Sequence, residues 1–341
     1  MKKGFFIFCL LIFLCTGCSK NNGRQVNILN WSSYIPSDVI IDFEKKSGID
    51  VNYGTYSSNE ELLAKVSVAK EGTYDLIFPS DYMVEIMVDR GIIDEIDLSR
   101  LENVSNLNSK FMNLEFDFGN KYTLPFVAAS TVIAVNREFI NDEINSYNDL
   151  LSKKYKGEIV LIDDQRIIIG MALLANGFDM NSTDDKELEI AKNWLLKLKK
   201  NLKAYDSDSP KNFLISKEAS IAVLWNAEGA LANMENPLIE NVFPKEGVAL
   251  SIDNFAILKG AKNIDCAYEF IDYILEPEVM KKIIESYPYK NVNKETEKLL
   301  DDSYLFNNAA NIDDSVFKDG LFVDNIGNNI SKYDRVWALI K

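Results

Sequence analysis

The stretch VNILNWSSYIPSDVIIDFEKKSGIDVNYGTYSSNEELLAKVSVAKEGTYDLIFPSDYMVEIMVDRG, residues 26–91, alternates short apolar runs with segments of helical period. Residues 26–29 read as a buried strand. Residues 37–47 read as a helix, with Pro36 at its start, where a missing N–H costs nothing, and Gly48 just past its end. Residues 51–53 make a second strand. Ser58 then caps a second helix, with Glu61 three residues on expected to complete a capping box; Leu62, Leu63, Val66 and Ala69 recur on one face and Gly72 stops it. Residues 76–78 form a third strand, and a helix over 81–90 ends at Gly91. A β-α-β-α-β order requires a parallel sheet with right-handed connections, because each helix must cross back over the sheet.

A second unit of this kind begins near Glu158. It has strands at 159–162 and 221–224, a helix through 171–175 and another over 184–200. The last helix puts Leu188, Ala191, Leu195 and Leu198 on one face, with acids in its first turn and lysines in its last, as the helix dipole favours. A chain of 341 residues with 47% hydrophobic content can fill two cores, so two lobes are expected. There is no low-complexity segment and no repeat of solenoid period.

The N-terminus reads as a secretory leader: Lys2 and Lys3, an apolar run over 5–14, then Cys15-Thr16-Gly17-Cys18. Residues 1–17 are expected to be a lipoprotein signal peptide, Cys18 the lipidated residue of a membrane anchor, and 18–25 a polar tether. The alternative is an ordinary cleaved signal. Of the 4 cysteines only Cys266 lies beyond this region, which leaves no disulfide framework and gives it a packing role.

The formal charge of -15 makes a nucleic-acid partner unfavourable and is compatible with a cationic ligand. With no histidine in the chain, Ser-His-Asp and Cys-His catalysis, the HExxH zinc site and most transition-metal sites are unavailable. No phosphate-binding Gly-x-x-x-x-Gly-Lys loop occurs. The expectation is therefore a monomer without enzymatic activity, cofactor or metal.

The chemistry-bearing residues cluster after strand ends. Trp31 and Tyr34 follow the first strand, Ser80 and Tyr82 the third, Asp164 the strand at 159–162, and Trp225 and Glu228 the strand at 221–224. Open α/β sheets bind ligands beyond the carboxyl ends of their strands, so these residues could face one cleft. Aromatic faces attract an alkylammonium ion by roughly 0.5–2 kcal/mol, and a desolvated carboxylate adds a charge-assisted hydrogen bond. Any one of the aromatics alone could be core packing; their shared position is what suggests a site.

The stretches NILNWSSYIP (27–36), DLIFPSDYMVE (75–85), LIDDQR (161–166), VLWNAEGA (223–230), FPKEGVALSIDNFAI (243–257) and SYPYKN (286–291) resemble, in the same order, the periplasmic spermidine/putrescine-binding proteins of polyamine ABC importers. The resemblance implies a two-lobed α/β periplasmic-binding-protein fold of type II, each lobe a mostly parallel sheet flanked by helices, joined by crossing strands near 126–130 and 248–252. The first lobe would take 26–126 plus 253–298 and the second 130–248 plus 299–341. It further implies a ligand site of Trp31, Ser32, Tyr34, Ser80, Tyr82, Asp164, Ser207, Trp225, Asp253 and Tyr287 for putrescine or spermidine, and an inner-membrane ABC permease as partner.

Four positions depart from the pattern of the spermidine-binding members. Ile167 replaces a glutamate, Ser251 a tryptophan and Val323 a glutamine, and Ser33 replaces an acid in the first motif. Two matched carboxylates remain, Asp164 and Asp253, which suits a diamine. Glu228 could restore charge if it reached the cleft. A receptor for an amino acid or sugar and a surface adhesin are the competing readings. The acid pairs Asp163-Asp164 and Asp206-Asp208 lack metal-site spacing, since adjacent strand residues point apart and no EF-hand glycine follows.

Overall fold

Each lobe is built on the same pattern of three parallel strands edged by one long antiparallel strand, in a computed structural model that describes residues 23–318 and 321–341. The expected leader and Cys18 lie outside the described residues. In the first lobe, β1 (Gln25–Trp31) pairs in parallel with β2 (Asp50–Tyr56) and β3 (Leu76–Ile77). The connections are α1 (Ser37–Ser47) and α2 (Asn59–Val68), and α3 (Asp81–Asp89) follows β3. Gly48 takes φ 68° at the end of α1, a left-handed turn that a side chain would resist, and its N–H closes on Glu44 O.

The second lobe repeats the pattern with β5 (Ile159–Leu161), β6 (Leu202–Tyr205) and β7 (Ile221–Trp225), and with α4 (Gln165–Ala175), α5 (Asp185–Leu198), the short α6 (Lys211–Ile215) and α7 (Asn226–Glu235). Strand β6 was not anticipated: Leu202–Tyr205 (LKAY) has one large aliphatic residue and no fully buried one, too weak a run to read as a strand.

Two strands join the lobes. β4 (Thr123–Asn136) is buried along its whole length and pairs with β9 (Ala249–Ile257) through residues 123–130. Its remainder pairs with β7 and with β8 (Ile239–Val242). β9 in turn pairs with β3, giving the order β2-β1-β3-β9-β4-β7-β5-β6. Short strands β10 (Lys290–Asn291) and β11 (Leu321–Phe322) add to β4 and β9 near the crossing. Phe78, Phe126 and Phe255 meet there with centroids 5.1–5.2 Å apart in edge and tilted contacts, a packed floor beneath the junction.

Beyond β9 the chain returns to the first lobe, where α8 (Ile264–Ile274) and α9 (Pro277–Ser286) cover α1; Phe43 packs against Phe270 and Tyr273. The C-terminal helix Ile330–Ile340 instead lies on the second lobe, with Tyr333 Oη donating to the carbonyls of Met180 and Ser182. Cys266 is a buried free thiol in α8.

The capping box expected for α2 forms only in part. Ser58 Oγ accepts from Glu61 N at 3.1 Å, but the Glu61 carboxylate reaches one residue further back, to Ser57 N, and pairs with Lys65. One carboxylate oxygen thus serves the backbone ahead of the helix and the other pairs with Lys65 one turn on.

Candidate functional site

The strand ends of both lobes open onto one narrow cavity beside the crossing strands. Trp31, Ser32, Tyr34, Ser80, Tyr82, Asp164, Ser207, Trp225 and Asp253 line it together with Tyr56, Ser57, Asn59, Arg166, Asp208 and Tyr289. Its free volume is about 60 Å³. A buried water needs roughly 10–15 Å³ on this measure, so the space holds a few water molecules or a small ligand.

At one end stands Asp253, on β9 and 2% exposed. It accepts hydrogen bonds from Tyr34 Oη and Ser80 Oγ, both at 2.6 Å, and Ser80 is itself held by Asn59 Nδ2 at 3.1 Å. Burial pushes its carboxyl up to about 6, against the pull of the two hydroxyl donors. Burial also raises the Tyr34 phenol well above its ordinary value, so it remains an O–H donor.

The rings around this carboxylate fix one another. Trp31 lies 4.7 Å from Tyr56 and 6.1 Å, stacked, from Tyr34, while Tyr289 lies 4.7 Å from Tyr34. Trp31 Nε1 and Tyr56 Oη both donate to the Phe78 carbonyl, at 2.9 and 2.5 Å. With their polar atoms engaged behind them, the rings can offer faces to a methylene chain or an ammonium.

Asp164, half-buried, stands at the other end as the N-cap of α4, accepting from Arg166 N at 2.9 Å and Ile167 N at 3.1 Å. Burial first, and then the Glu60 carboxylate across the cleft, pushes its carboxyl up to about 6; the backbone donors and the Arg166 charge pull it back. Tyr82 Oη donates to Glu60 Oε1 at 3.1 Å. Ser207 follows β6 and accepts from Asp163 N at 2.8 Å, and Trp225 closes β7 as the residue before α7.

Two sequence expectations change. Tyr287 caps α9 and is not among the residues lining the cavity; its N–H stays on Ile283 O. The chain then turns tightly about Pro288, with Tyr289 N on Tyr287 O at 2.8 Å, and this turn delivers Tyr289 to the wall instead. Glu228 is likewise outside the lining. It sits in the first turn of α7 near Lys211, with burial raising its carboxyl, and it reaches the cavity only through its field, which acts on the wall residue Tyr289. Asp206 is a turn residue, as expected, accepting from Asp208 N and Ser209 N.

A family of bacterial extracellular solute-binding proteins matches residues 38–308, most of the chain. This chain belongs to that family. It is 36% identical to the spermidine/putrescine-binding periplasmic protein of Escherichia coli over 332 residues, 96% of this chain and 95% of that protein. A putative spermidine/putrescine ABC transporter protein from Listeria monocytogenes superposes with a TM-score of 0.89 at 32% identity, covering 93% of this chain and 98% of that one. The Tp0655 (TpPotD) lipoprotein of Treponema pallidum superposes with a TM-score of 0.84 at 25% identity, covering 93% and 99%. The two-lobed periplasmic-binding-protein fold expected from sequence is thereby borne out, and the family is one of transport receptors, not of enzymes.

Within this extracellular solute-binding protein, the departing residues Ile167, Ser251 and Val323 all line the cavity. Ser33, in contrast, is exposed with φ 55° and takes no part in the lining. Sequence reasoning missed Tyr56, which ends β2, and Ser57 and Asn59, which follow it, and the strand-end rule applied to that strand would have found them. It also missed Arg166. A basic residue in the first turn of a helix opposes the dipole, and that anomaly was the available signal.

Proposed function

We propose that the protein is the extracytoplasmic substrate-binding component of a polyamine ABC importer, capturing putrescine or spermidine between its lobes and delivering it to an inner-membrane permease. The observation that carries this reading is the cavity itself: a narrow space walled by Trp31, Tyr34, Tyr56, Tyr82, Trp225 and Tyr289, with two carboxylates, Asp253 and Asp164, that burial pushes up. A linear diamine supplies the complement, an apolar chain with a cation at each terminus, and each ammonium placed beside a buried carboxylate relieves the cost of desolvating it. The names of the E. coli and L. monocytogenes relatives agree with this ligand class.

Trp31, Ser32, Tyr34, Ser80, Tyr82, Asp164, Ser207, Trp225 and Asp253 are the proposed ligand contacts, with Tyr289 taking the part expected of Tyr287. The first lobe comprises 26–126 and 253–298 and the second 130–248 and 299–341. Cys18 carries the lipid that holds the mature, monomeric protein at the membrane, a reading supported by the leader pattern. Calorimetric titration with putrescine and with spermidine tests the function: saturable binding of one amine per chain supports it, and silence with both amines, in protein shown to be folded, removes it.

A further inference from the structure

The Asp164 end carries a problem of charge. Arg166 lines the same cavity and is 4% exposed, so an ammonium arriving beside Asp164 meets a fixed cation within the same low-dielectric space. The guanidinium is held by neutral acceptors, Asn181 Oδ1 at 3.0 Å and the Asp324 carbonyl at 2.9 Å, and it forms no ion pair among the described residues. Its buried Nε has no partner there either. Its ring neighbours are Tyr82 at 5.6 Å and Tyr333 at 5.0 Å. Asp164 and Arg166 together contribute no net charge, and a cationic ligand would gain little from this end.

A second cavity lies against the first, between α2 and α3 of the first lobe and residues 325–330 of the second, and Tyr82 and Arg166 line both. Glu60 lines this outer cavity, and its carboxylate takes the Tyr82 hydroxyl. We propose that Glu60 is a ligand-selecting residue, forming with Asp164 and the Tyr82 hydroxyl an ammonium subsite that spans the two lobes. Glu60 returns the charge that Arg166 cancels. The cavity then holds Asp253 at one end and a net single negative charge at the other, the complement of a diamine. Because Glu60 and Tyr82 belong to the first lobe and Asp164 to the second, the ammonium seated among them also ties the lobes together. The mutual repulsion of Glu60 and Asp164, evident in the raised Asp164 carboxyl, is what the ligand relieves.

The inference rests on the polyamine reading and is tested apart from it. Putrescine and butylamine are titrated into the wild-type protein and into Glu60→Gln, which keeps an acceptor for Tyr82 while removing the charge; unfolding midpoints without amine check the fold. The expected result is tight putrescine binding by the wild type, a loss of at least tenfold in Glu60→Gln, and an unfolding midpoint without amine no lower than that of the wild type. The advantage of putrescine over butylamine should shrink in the variant. Putrescine affinity within twofold of wild type in Glu60→Gln overturns the assignment of Glu60 and leaves the polyamine reading standing. A wild type that binds no amine overturns both.

Discussion

The two carboxylates of the cavity, Asp253 buried and Asp164 half-buried, are both pushed up to about 6, yet they are built by different means. Asp253 lies on a crossing strand and receives two neutral hydroxyls, Tyr34 and Ser80, from its own lobe. Asp164 caps a helix, receives two backbone N–H groups and has a guanidinium and a foreign carboxylate beside it. The Asp253 end is therefore a preformed anion in a fixed aromatic frame. The Asp164 end is a balance of charges drawn from both lobes, sensitive to how closely the lobes approach. Under the proposed function, the first end would anchor the ligand and the second would close the lobes on it.

Removing Asp253 should break the anchoring end. Asp253→Ala leaves an ammonium unpaired in a desolvated site, a loss of about 2–5 kcal/mol of binding free energy, or roughly thirtyfold to several thousandfold in Kd. Calorimetry against putrescine reads this directly. A loss below fivefold would mean the anchor lies elsewhere.

Protonation probes both ends together. An acid whose folded pKa is raised binds more protons when folded than unfolded between pH about 4 and about 6. The ligand-free protein should therefore lose stability as pH rises across that window, by roughly 2–3 kcal/mol for Asp253, the more deeply buried of the two. Putrescine binds the ionised forms and reverses this loss. Its stabilising shift in unfolding midpoint should be larger at pH 7.5 than at pH 5, and an equal shift at both would deny the carboxylates their part.

Much of this organisation was legible in the sequence. Strand ends with Trp31, Tyr34, Ser80 and Asp164 mark one cleft because strand direction alone sets which edge carries ligand residues. The helix 184–200 was readable because its apolar period is complete, and all four predicted core residues are buried. What escaped depended on contacts distant in the chain. Glu60 lies on an α2 whose helical face gave no hint of Tyr82, and the exchange of Tyr287 for Tyr289 turns on one tight turn at Pro288. Strand β6 owes its existence to pairing with β5 more than to its own residues, as β-propensity generally depends on neighbours.

The closure end can be sharpened by adding charge. Ile167 lines the cavity one residue beyond Arg166 and has its backbone N–H on Asp164. Ile167→Glu supplies another acceptor there and should shift the balance toward spermidine by about 1.4 kcal/mol, a factor of ten in relative affinity. Parallel titrations of variant and wild type check it, and a ratio unmoved would mean that the third ammonium does not reach this wall.

The smallest effect belongs to Asp208, which lines the mouth but is exposed. Water and salt screen such a group, so Asp208→Ala should cost under about 1 kcal/mol and diminish further at high salt. A loss matching that of Asp253→Ala would erase the distinction between buried and exposed carboxylates on which the site rests.

The most direct test is a competition between putrescine and spermidine at equal concentration and moderate salt, read by native mass spectrometry of the wild-type protein. The account predicts one amine per chain, with putrescine bound as well as spermidine or better, since Asp253, Asp164 and Glu60 together with Arg166 sum to the charge of a diamine. A spermidine preference of tenfold or more, about 1.4 kcal/mol, or the absence of either amine from the folded protein, would contradict it.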